Sequence, residues 1–391
     1  MISFDEAYRI VMDAALPLGS EPAALEKSLG RILAQDVVSD IDMPPFDKSA
    51  MDGYACRMQD LKNELTVVEV IQAGQRPGKA IGANECAKIM TGAMVPDGAD
   101  CVIMVEHTEV VSENTIRFVK EQTKDNICFR GEDIRAGDVV LSRGDLIQPQ
   151  HIAVLATVGC IAPMVARRPR VGVIATGSEL VEPSEKATGA KIRNSNGWQL
   201  AAQAEQMNCI VNYYGIAEDT ETVLDALIKK AISENDVLLL SGGVSVGDFD
   251  LIPGILKQNG IELLFDRVAI KPGKPSTFGT GQKIRCFALP GNPVATFIQF
   301  ETLVKPFLYK MAGHSFRPRT VRAKIQCDIK RNTEGRTVTL PVRFTAIDQV
   351  TPVVYHGSAH INAMCEADGL LFIQTSETSI KKGDEVDVRL L

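Results

Sequence analysis

Aromatic residues are scarce in this chain: they make up 5% of its 391 residues, and Trp198 is the sole tryptophan. So thin a supply excludes a base-stacking platform or an aromatic cage. Positive charge is also short, with 42 Lys and Arg against 49 Asp and Glu, a net charge of −7 and a pI near 5.4. A general nucleic-acid or anionic-membrane surface is therefore excluded, and any anionic ligand must be held by a local constellation. No apolar run reaches about 18 residues, and no basic segment precedes an apolar core at the N-terminus. A chain neither exported nor membrane-spanning is expected. The 9 cysteines are scattered, odd in number and never spaced C-x-x-C. That pattern argues against a zinc ribbon or disulfide framework and for a reducing cytoplasm, with most thiols acting as small buried hydrophobes. His107, His151, His314, His356 and His360 show no H-E-x-x-H or paired metal spacing. Zinc catalysis is a poor fit.

What is present suits a large globular protein: 45% hydrophobic residues, 23% charged residues and a mean hydropathy of +0.03. Its length suggests about two to four domains. Ser3-Phe4-Asp5-Glu6 reads as a capping box opening a helix that Pro17 stops. Leu25, Leu29, Ile32 and Leu33 suggest a second helix, followed by an extended run over 37–43 and the stiff Pro44-Pro45 pair. Residues 65–147 read as β-rich, with strands over 65–71, 88–91 and 101–106 and a turn at Pro96-Asp97-Gly98. Residues 148–158 read as helical.

After Arg167-Arg168-Pro169-Arg170 the texture changes. Strands are expected over 171–175, 209–214, 237–240, 261–265 and 285–289, and helices over 198–207, 220–233, 251–258 and 294–309. Alternating units with unbroken apolar strands predict a mainly parallel, doubly wound sheet. From residue 319 onward, alternation through Val321, Ala323, Ile325, Cys327 and Ile329, then strands over 337–344, 370–374 and 385–391, predict a small all-β domain.

In such a sheet, ligands bind beyond the carboxyl ends of the strands. The loops expected there are Thr176-Gly177-Ser178-Glu179, the Gly215 to Asp219 segment, Ser241-Gly242-Gly243 running on to Asp248-Phe249-Asp250, and Pro290-Gly291-Asn292-Pro293. Small residues let backbone N–H groups approach a ligand, and a phosphate-bearing one follows naturally. Neither G-x-x-x-x-G-K-[ST] nor G-x-G-x-x-G is present. Glu179, Asp219 and Asp250 stand out, although Asp219 could equally be a helix N-cap and Asp250 a first-turn acid. Carboxylates beside a phosphate call for a hard cation between them, which points to Mg²⁺. Lys271-Pro272-Gly273-Lys274-Pro275, with Arg267 upstream, fixes cations on a stiff turn suited to an oxyanion or phosphate.

Seven segments in order carry a further signal: Ser49-Ala50-Met51-Asp52-Gly53-Tyr54-Ala55, Met90-Thr91-Gly92-Ala93, Gly131-Glu132-Asp133-Ile134, Thr176-Gly177-Ser178-Glu179-Leu180, Ser241-Gly242-Gly243-Val244-Ser245-Val246-Gly247, the Lys271–Pro275 turn and Leu289-Pro290-Gly291-Asn292-Pro293. With them the chain resembles, end to end, the molybdopterin molybdenumtransferase family, the MoeA-like proteins that include the C-terminal half of gephyrin. The resemblance implies a multidomain α/β fold and an elongated homodimer. The implied domains are residues 1–50 with 134–169 as a linker and dimerisation domain, 51–133 as an inserted β-rich domain, 170–318 as the molybdopterin-binding domain and 319–391 as a β-barrel. Asp52 and Gly53, which by themselves read as a turn with Gly53 at an unusual φ, then become part of a cleft facing the partner's α/β domain.

The resemblance further implies that Asp52, Thr91, Asp133, Glu179, Asp219 and Asp250 are functional polar residues, with Glu179, Asp219 and Asp250 as Mg²⁺ ligands. Arg267, Lys271 and Lys274 would attract molybdate and phosphate, and Ser241, Gly242, Gly243, Pro290 and Pro293 would receive the pterin nucleotide. Ser178 stands where many relatives have Asp, and of a basic stretch at 126–130 only Arg130 remains. The implied activity is insertion of molybdenum from molybdate into adenylylated molybdopterin with release of AMP, in the cytoplasm. The molybdopterin adenylyltransferase and apo-molybdoenzymes are the implied protein partners. Adenylylation of molybdopterin by ATP, a scaffold role and tungstate in place of molybdate stay open as alternatives.

Overall fold

The computed structural model describes residues 1–243, 251–331, 335–354, 357 and 359–391. The chain divides into two compact units, one of residues 1–35, 143–148 and 164–391, the other of 36–142 and 149–163.

Helix α1 (Phe4–Asp13) opens the first unit as its capping residue predicts, with the Ser3 hydroxyl accepting the Glu6 N–H at 3.1 Å. It buries Ala7, Val11 and Met12 against the core of the α/β domain. The helix expected from Leu25 to Leu33 is reduced to one 3₁₀ turn, Leu25–Lys27. Gly30, at φ 73°, redirects the chain, and Ile32 and Leu33 instead make β-bridges to Leu146 and Val165. Leu29 faces solvent, so the apolar spacing there was not a helical stripe.

The second unit is built on strands β1 (Gly53–Cys56), β2 (Glu64–Ile71), β3 (Glu85–Ile89), β4 (Cys101–Met104), β5 (Thr108–Ser112) and β6 (Thr115–Phe118), with helix α2 (Pro149–Thr157). Their order in the sheet is β4-β1-β3-β2-β6-β5, and β2 with β3 is the parallel pair. Alternation sends Tyr54, Cys56, Cys101 and Ile103 into one core and Ala55, Ala87, Ile89 and Val102 into another. Burial pushes the Cys86 thiol up to about 12, as expected of a cysteine used as a small hydrophobe.

The α/β domain of the first unit comprises β7 (Arg170–Thr176), α3 (Asn196–Gln206), β8 (Ile210–Ala217), α4 (Glu221–Glu234), β9 (Val237–Ser241), α5 (Ile252–Gln258), β10 (Glu262–Arg267), β11 (Pro275–Thr280), β12 (Arg285–Leu289), α6 (Pro293–Gln299) and α7 (Lys305–Met311). Sheet order is β8-β7-β9-β12-β11-β10. The first four strands are parallel, and β11 and β10 close the edge antiparallel. Helix α3 and the region around α7 cover one face, and α4 and α5 the other, so the sheet is doubly wound and buried on both sides. A π-helical turn, Phe300–Val304, joins α6 to α7 where one continuous helix was expected. Strand β11 was not expected, because it opens on proline.

Beyond it, β13 (Thr320–Ile325), β14 (Thr337–Ala346), β15 (Gln349–Pro352), β16 (Gly369–Ile373) and β17 (Glu385–Leu390) pair in the circuit β14-β15-β13-β17-β16 and back to β14. This is a closed five-stranded barrel around Ile325, Val342, Val350 and Val388. Ile270–Lys271, from the α/β domain, adds a short parallel strand along Thr337 and Val338.

Candidate functional site

Strand register sets the site. Ala175 lies opposite Ser241, and Ser241 opposite Leu289, so β7, β9 and β12 end level with one another. The loops that leave them enclose a cleft of about 760 Å³. Its floor is made by close backbone approach. Gly242, at φ 98°, donates its N–H to the Leu289 carbonyl at 3.2 Å, and a Cβ there would fall 2.2 Å from the Thr176 carbonyl oxygen. Gly243, at φ 62°, leaves 2.8 Å between a Cβ and the Ile252 side chain. Only glycine combines these φ values with this space.

A buried net of neutral hydrogen bonds fixes the floor. The Asn196 side-chain amide donates to the Ser241 hydroxyl at 2.8 Å and to the Gly291 carbonyl at 2.9 Å. The Ser241 and Thr296 hydroxyls both donate to the Pro290 carbonyl. Pro293 starts α6 at a position where its fixed φ suits the first helical turn and its missing N–H costs nothing. Thr176 is buried in the same wall, and its hydroxyl has no hydrogen-bond partner among the described residues.

The rim is exposed and charged. Asp219 does not cap α4: the N-cap is Thr220, and the Asp219 carboxylate accepts the Ser178 N–H at 2.8 Å. Glu179 folds its carboxylate back over Gly177, 2.6 Å from where a Cβ would stand. Between Ser178 and Asn194 the chain forms a strap, held by parallel pairing of Leu180–Val181 with Ile192–Arg193. The Lys191 ammonium donates to the Ser178 carbonyl at 2.5 Å, and the Arg193 Nε to the Glu185 carbonyl at 3.1 Å.

Of the residues singled out in the sequence, Glu179, Asp219, Ser241, Gly242, Gly243, Pro290 and Pro293 line the cleft together. Asp250 lies outside the described residues. The basic turn contributes Gly273 and Pro275 to the wall. Gly273 is held by bonds to its carbonyl from Ser276 at 3.0 Å and Gln299 at 2.5 Å. Arg267 ends β10, Lys271 belongs to the strand paired with the barrel, and Lys274 is exposed between Gly273 and Pro275. Among the described residues the Lys, Arg or His on the wall is Arg193, which the sequence reading passed over. Its one signal was the polar run Arg193-Asn194-Ser195-Asn196 just before a helix.

The remaining candidates stand in the β-rich unit. The Asp52 carboxylate accepts the Thr91 N–H at 2.6 Å and the Thr91 hydroxyl at 2.8 Å, and these bonds hold its pKa below the ordinary carboxylate value. Gly53 has no unusual φ. It is required because a Cβ would strike the Ile103 carbonyl oxygen at 2.0 Å, whereas Gly92 takes the positive φ, 81°. Asp133 is exposed and donates its backbone N–H to the Met43 carbonyl at 3.1 Å.

Three family descriptions match in succession: the MoeA N-terminal region (domains I and II) over 2–159, a probable molybdopterin-binding domain over 172–310, and the MoeA C-terminal region (domain IV) over 322–391. A molybdopterin molybdenumtransferase of Staphylococcus epidermidis is 38% identical over 100% of this chain and 95% of its own length, and one of Staphylococcus aureus is 37% identical with the same coverage. The crystal structure of a molybdopterin biosynthesis moeA protein from Pyrococcus horikoshii superposes with a TM-score of 0.88 at 31% identity, covering 100% of both chains. Matches along the whole chain and full-length relatives leave one conclusion: the chain belongs to the MoeA family of molybdopterin molybdenumtransferases.

Proposed function

We propose that this chain inserts molybdenum from molybdate into adenylylated molybdopterin and releases AMP. The observation that carries this reading is the cleft itself, where a neutral, preformed glycine floor sits beside the rim carboxylates Glu179 and Asp219. The floor offers small residues and tight walls to a flat nucleotide-bearing ligand. The two dithiolene thiols bind molybdenum and give up their protons, which carry off an oxo group of molybdate as water, and a water oxygen attacks the molybdopterin phosphorus and displaces AMP from the phosphoanhydride. Glu179 or Asp219 would orient that oxygen or accept its proton. Lys271, Lys274 and Arg267 would hold the molybdate dianion.

Mg²⁺ fits the donor set. Glu179 and Asp219 supply hard carboxylate oxygens, and Mg²⁺ commonly takes one or two of these and completes its shell with water and substrate phosphates. Bound there, with Asp250 as a further ligand, Mg²⁺ would neutralise phosphate charge.

The four-domain division at 1–50 with 134–169, 51–133, 170–318 and 319–391 belongs to the same proposal, as does a cytoplasmic homodimer that exchanges substrate and product with the adenylyltransferase and apo-molybdoenzymes. No helix among the described residues is long and apolar enough to cross a membrane. In the dimer, Asp52, Thr91 and Asp133 of one subunit would serve the cleft of its partner.

The direct test incubates the chain with adenylylated molybdopterin, Mg²⁺ and molybdate, with tungstate in parallel, and measures AMP released and metal retained. Pyrophosphate from ATP and molybdopterin, without metal insertion, would replace this reading with adenylylation. Subunit sharing has its own test. Asp52→Ala and Glu179→Gln, each expected to be inactive alone, are mixed and allowed to exchange subunits. One cleft of each heterodimer then carries both defects and the other neither, so about a quarter of wild-type activity per site should return. Tagged heterodimers that form and stay inactive would place Asp52 outside its partner's cleft.

A further inference from the structure

Arg193 stands on the wall of a cleft whose other charged residues, among those described, are the carboxylates Glu179 and Asp219. Its guanidinium carries five N–H donors in a planar fork. One of them, Nε, is occupied by the Glu185 carbonyl at 3.1 Å. That bond points the plane of the fork, and no other partner of Arg193 occurs among the described residues. The strap that bears it is itself fixed, by its parallel pairing to Leu180–Val181 and by the Lys191 bond to Ser178. Three residues after Arg193, Asn196 is tied into the floor through Ser241 and Gly291. Arg193 is exposed, and the free end of its fork is presented from a paired strand with its Nε already held. Planar, oriented and doubly donating groups of this kind match two oxygens of one phosphate, which an ammonium cannot do.

We propose that Arg193 binds the phosphate of the adenylyl group, in the substrate before cleavage and in AMP after it. This rests on the nucleotide reading of the cleft given above and adds to it a specific phosphate ligand. The two terminal amino groups of Arg193 hold the adenylyl phosphate, while Lys271, Lys274 and Arg267 are left to the molybdate. The division of labour explains how a cleft rimmed by two carboxylates accepts a nucleotide: the strap supplies the opposite charge at the rim.

The test uses AMP as the probe with the full chain in Mg²⁺ buffer, read by titration calorimetry. Arg193→Ala should weaken AMP binding about tenfold to a hundredfold, the loss typical of a charge-assisted pair. Arg193→Lys should recover only part of it, since charge returns without the fork. In the insertion assay both variants should raise the KM for adenylylated molybdopterin and leave the half-saturating molybdate concentration unchanged. Arg193→Gln, close to arginine in its stem and uncharged, provides the same comparison should the alanine variant fold poorly. Unchanged AMP affinity in variants that melt like the parent overturns the assignment and leaves the nucleotide reading standing. A parallel rise in the molybdate requirement also overturns it, because the strap would then be shaping the whole cleft. Failure of the unaltered chain to bind AMP removes the nucleotide reading, and the assignment goes with it.

Discussion

The floor of the cleft and the Asp52–Thr91 turn are both short glycine-containing loops joined by side-chain hydrogen bonds, yet they are built on opposite principles. The floor is buried and neutral: Ser241, Asn196 and Thr296 are nearly inaccessible, and their bonds run to backbone carbonyls and to one another. Leaving any of those groups unpaired incurs a full desolvation penalty. The turn is exposed and ionised. One carboxylate oxygen holds two donors of a single residue in open solvent, where screening keeps such bonds weak. The difference separates shape from charge. The α/β domain fixes a preformed cavity whatever the pH, whereas the β-rich unit presents a carboxylate that keeps its own turn and answers to its surroundings.

The comparison breaks most visibly at Gly242. Gly242→Ala puts a methyl group 2.2 Å from the Thr176 carbonyl on a backbone at φ 98°. The backbone strain alone costs about 1–3 kcal/mol. AMP release should fall about a hundredfold or more, as a displacement of ~1 Å at a positioned substrate can produce. Melting temperature and turnover measured on one preparation check both. Activity within a few-fold of the parent would show that the floor yields.

Asn196→Ala should come next. It strips the Ser241 hydroxyl and the Gly291 carbonyl of their donor in a buried wall, at about 1–3 kcal/mol by denaturant titration. Nucleotide affinity should weaken with it. A variant as stable as the parent would mean that water replaces the amide.

The smallest effect belongs to the turn. The Thr91 N–H, then its hydroxyl, lower the Asp52 pKa. The stabilisation they lend is therefore present above the ordinary carboxylate range and is lost as pH falls through the depressed folded value. Thr91→Val removes the hydroxyl and keeps the N–H, so the Asp52 carboxyl should titrate closer to its ordinary value without reaching it. Carboxyl chemical shifts followed against pH read this directly. An unmoved titration would show that the backbone bond carries the whole shift.

Much of this was legible in the sequence because buried parallel strands declare themselves as unbroken apolar runs, and 237–240 and 285–289 emerged nearly as written. Register then brings their glycine-rich loops to one edge without further information. What stayed hidden has physical reasons. Strand β11 opens on proline and carries Ser276, Thr277 and Gly279, so its pattern mimics a loop. Residues 25–33 mimic a helix by spacing alone, since Gly30 turns the chain between Leu29 and Ile32. Asp219 sat where an N-cap is expected, but its oxygen is spent on the Ser178 N–H of the neighbouring loop. Arg193 lies in a strand of two residues, too short to show any periodicity, and only pairing with Leu180–Val181 puts it on the wall.

The pairing of Ile270–Lys271 with β14 has a consequence for how the molecule melts. The Thr337 N–H also bonds the Ala269 carbonyl at 2.9 Å, and Arg389 of β17 donates to the Glu301 carbonyl. The barrel has thus borrowed a piece of backbone from the domain that forms the cleft, and returns the chain to it through Gly273 and Pro275. Loosening the barrel disturbs that pairing together with the apolar packing of Met364 and Leu370 against Val294 and Ile298. The two domains behave as one cooperative block, and excising the barrel would leave the basic turn with a frayed anchor on the side that faces the substrate.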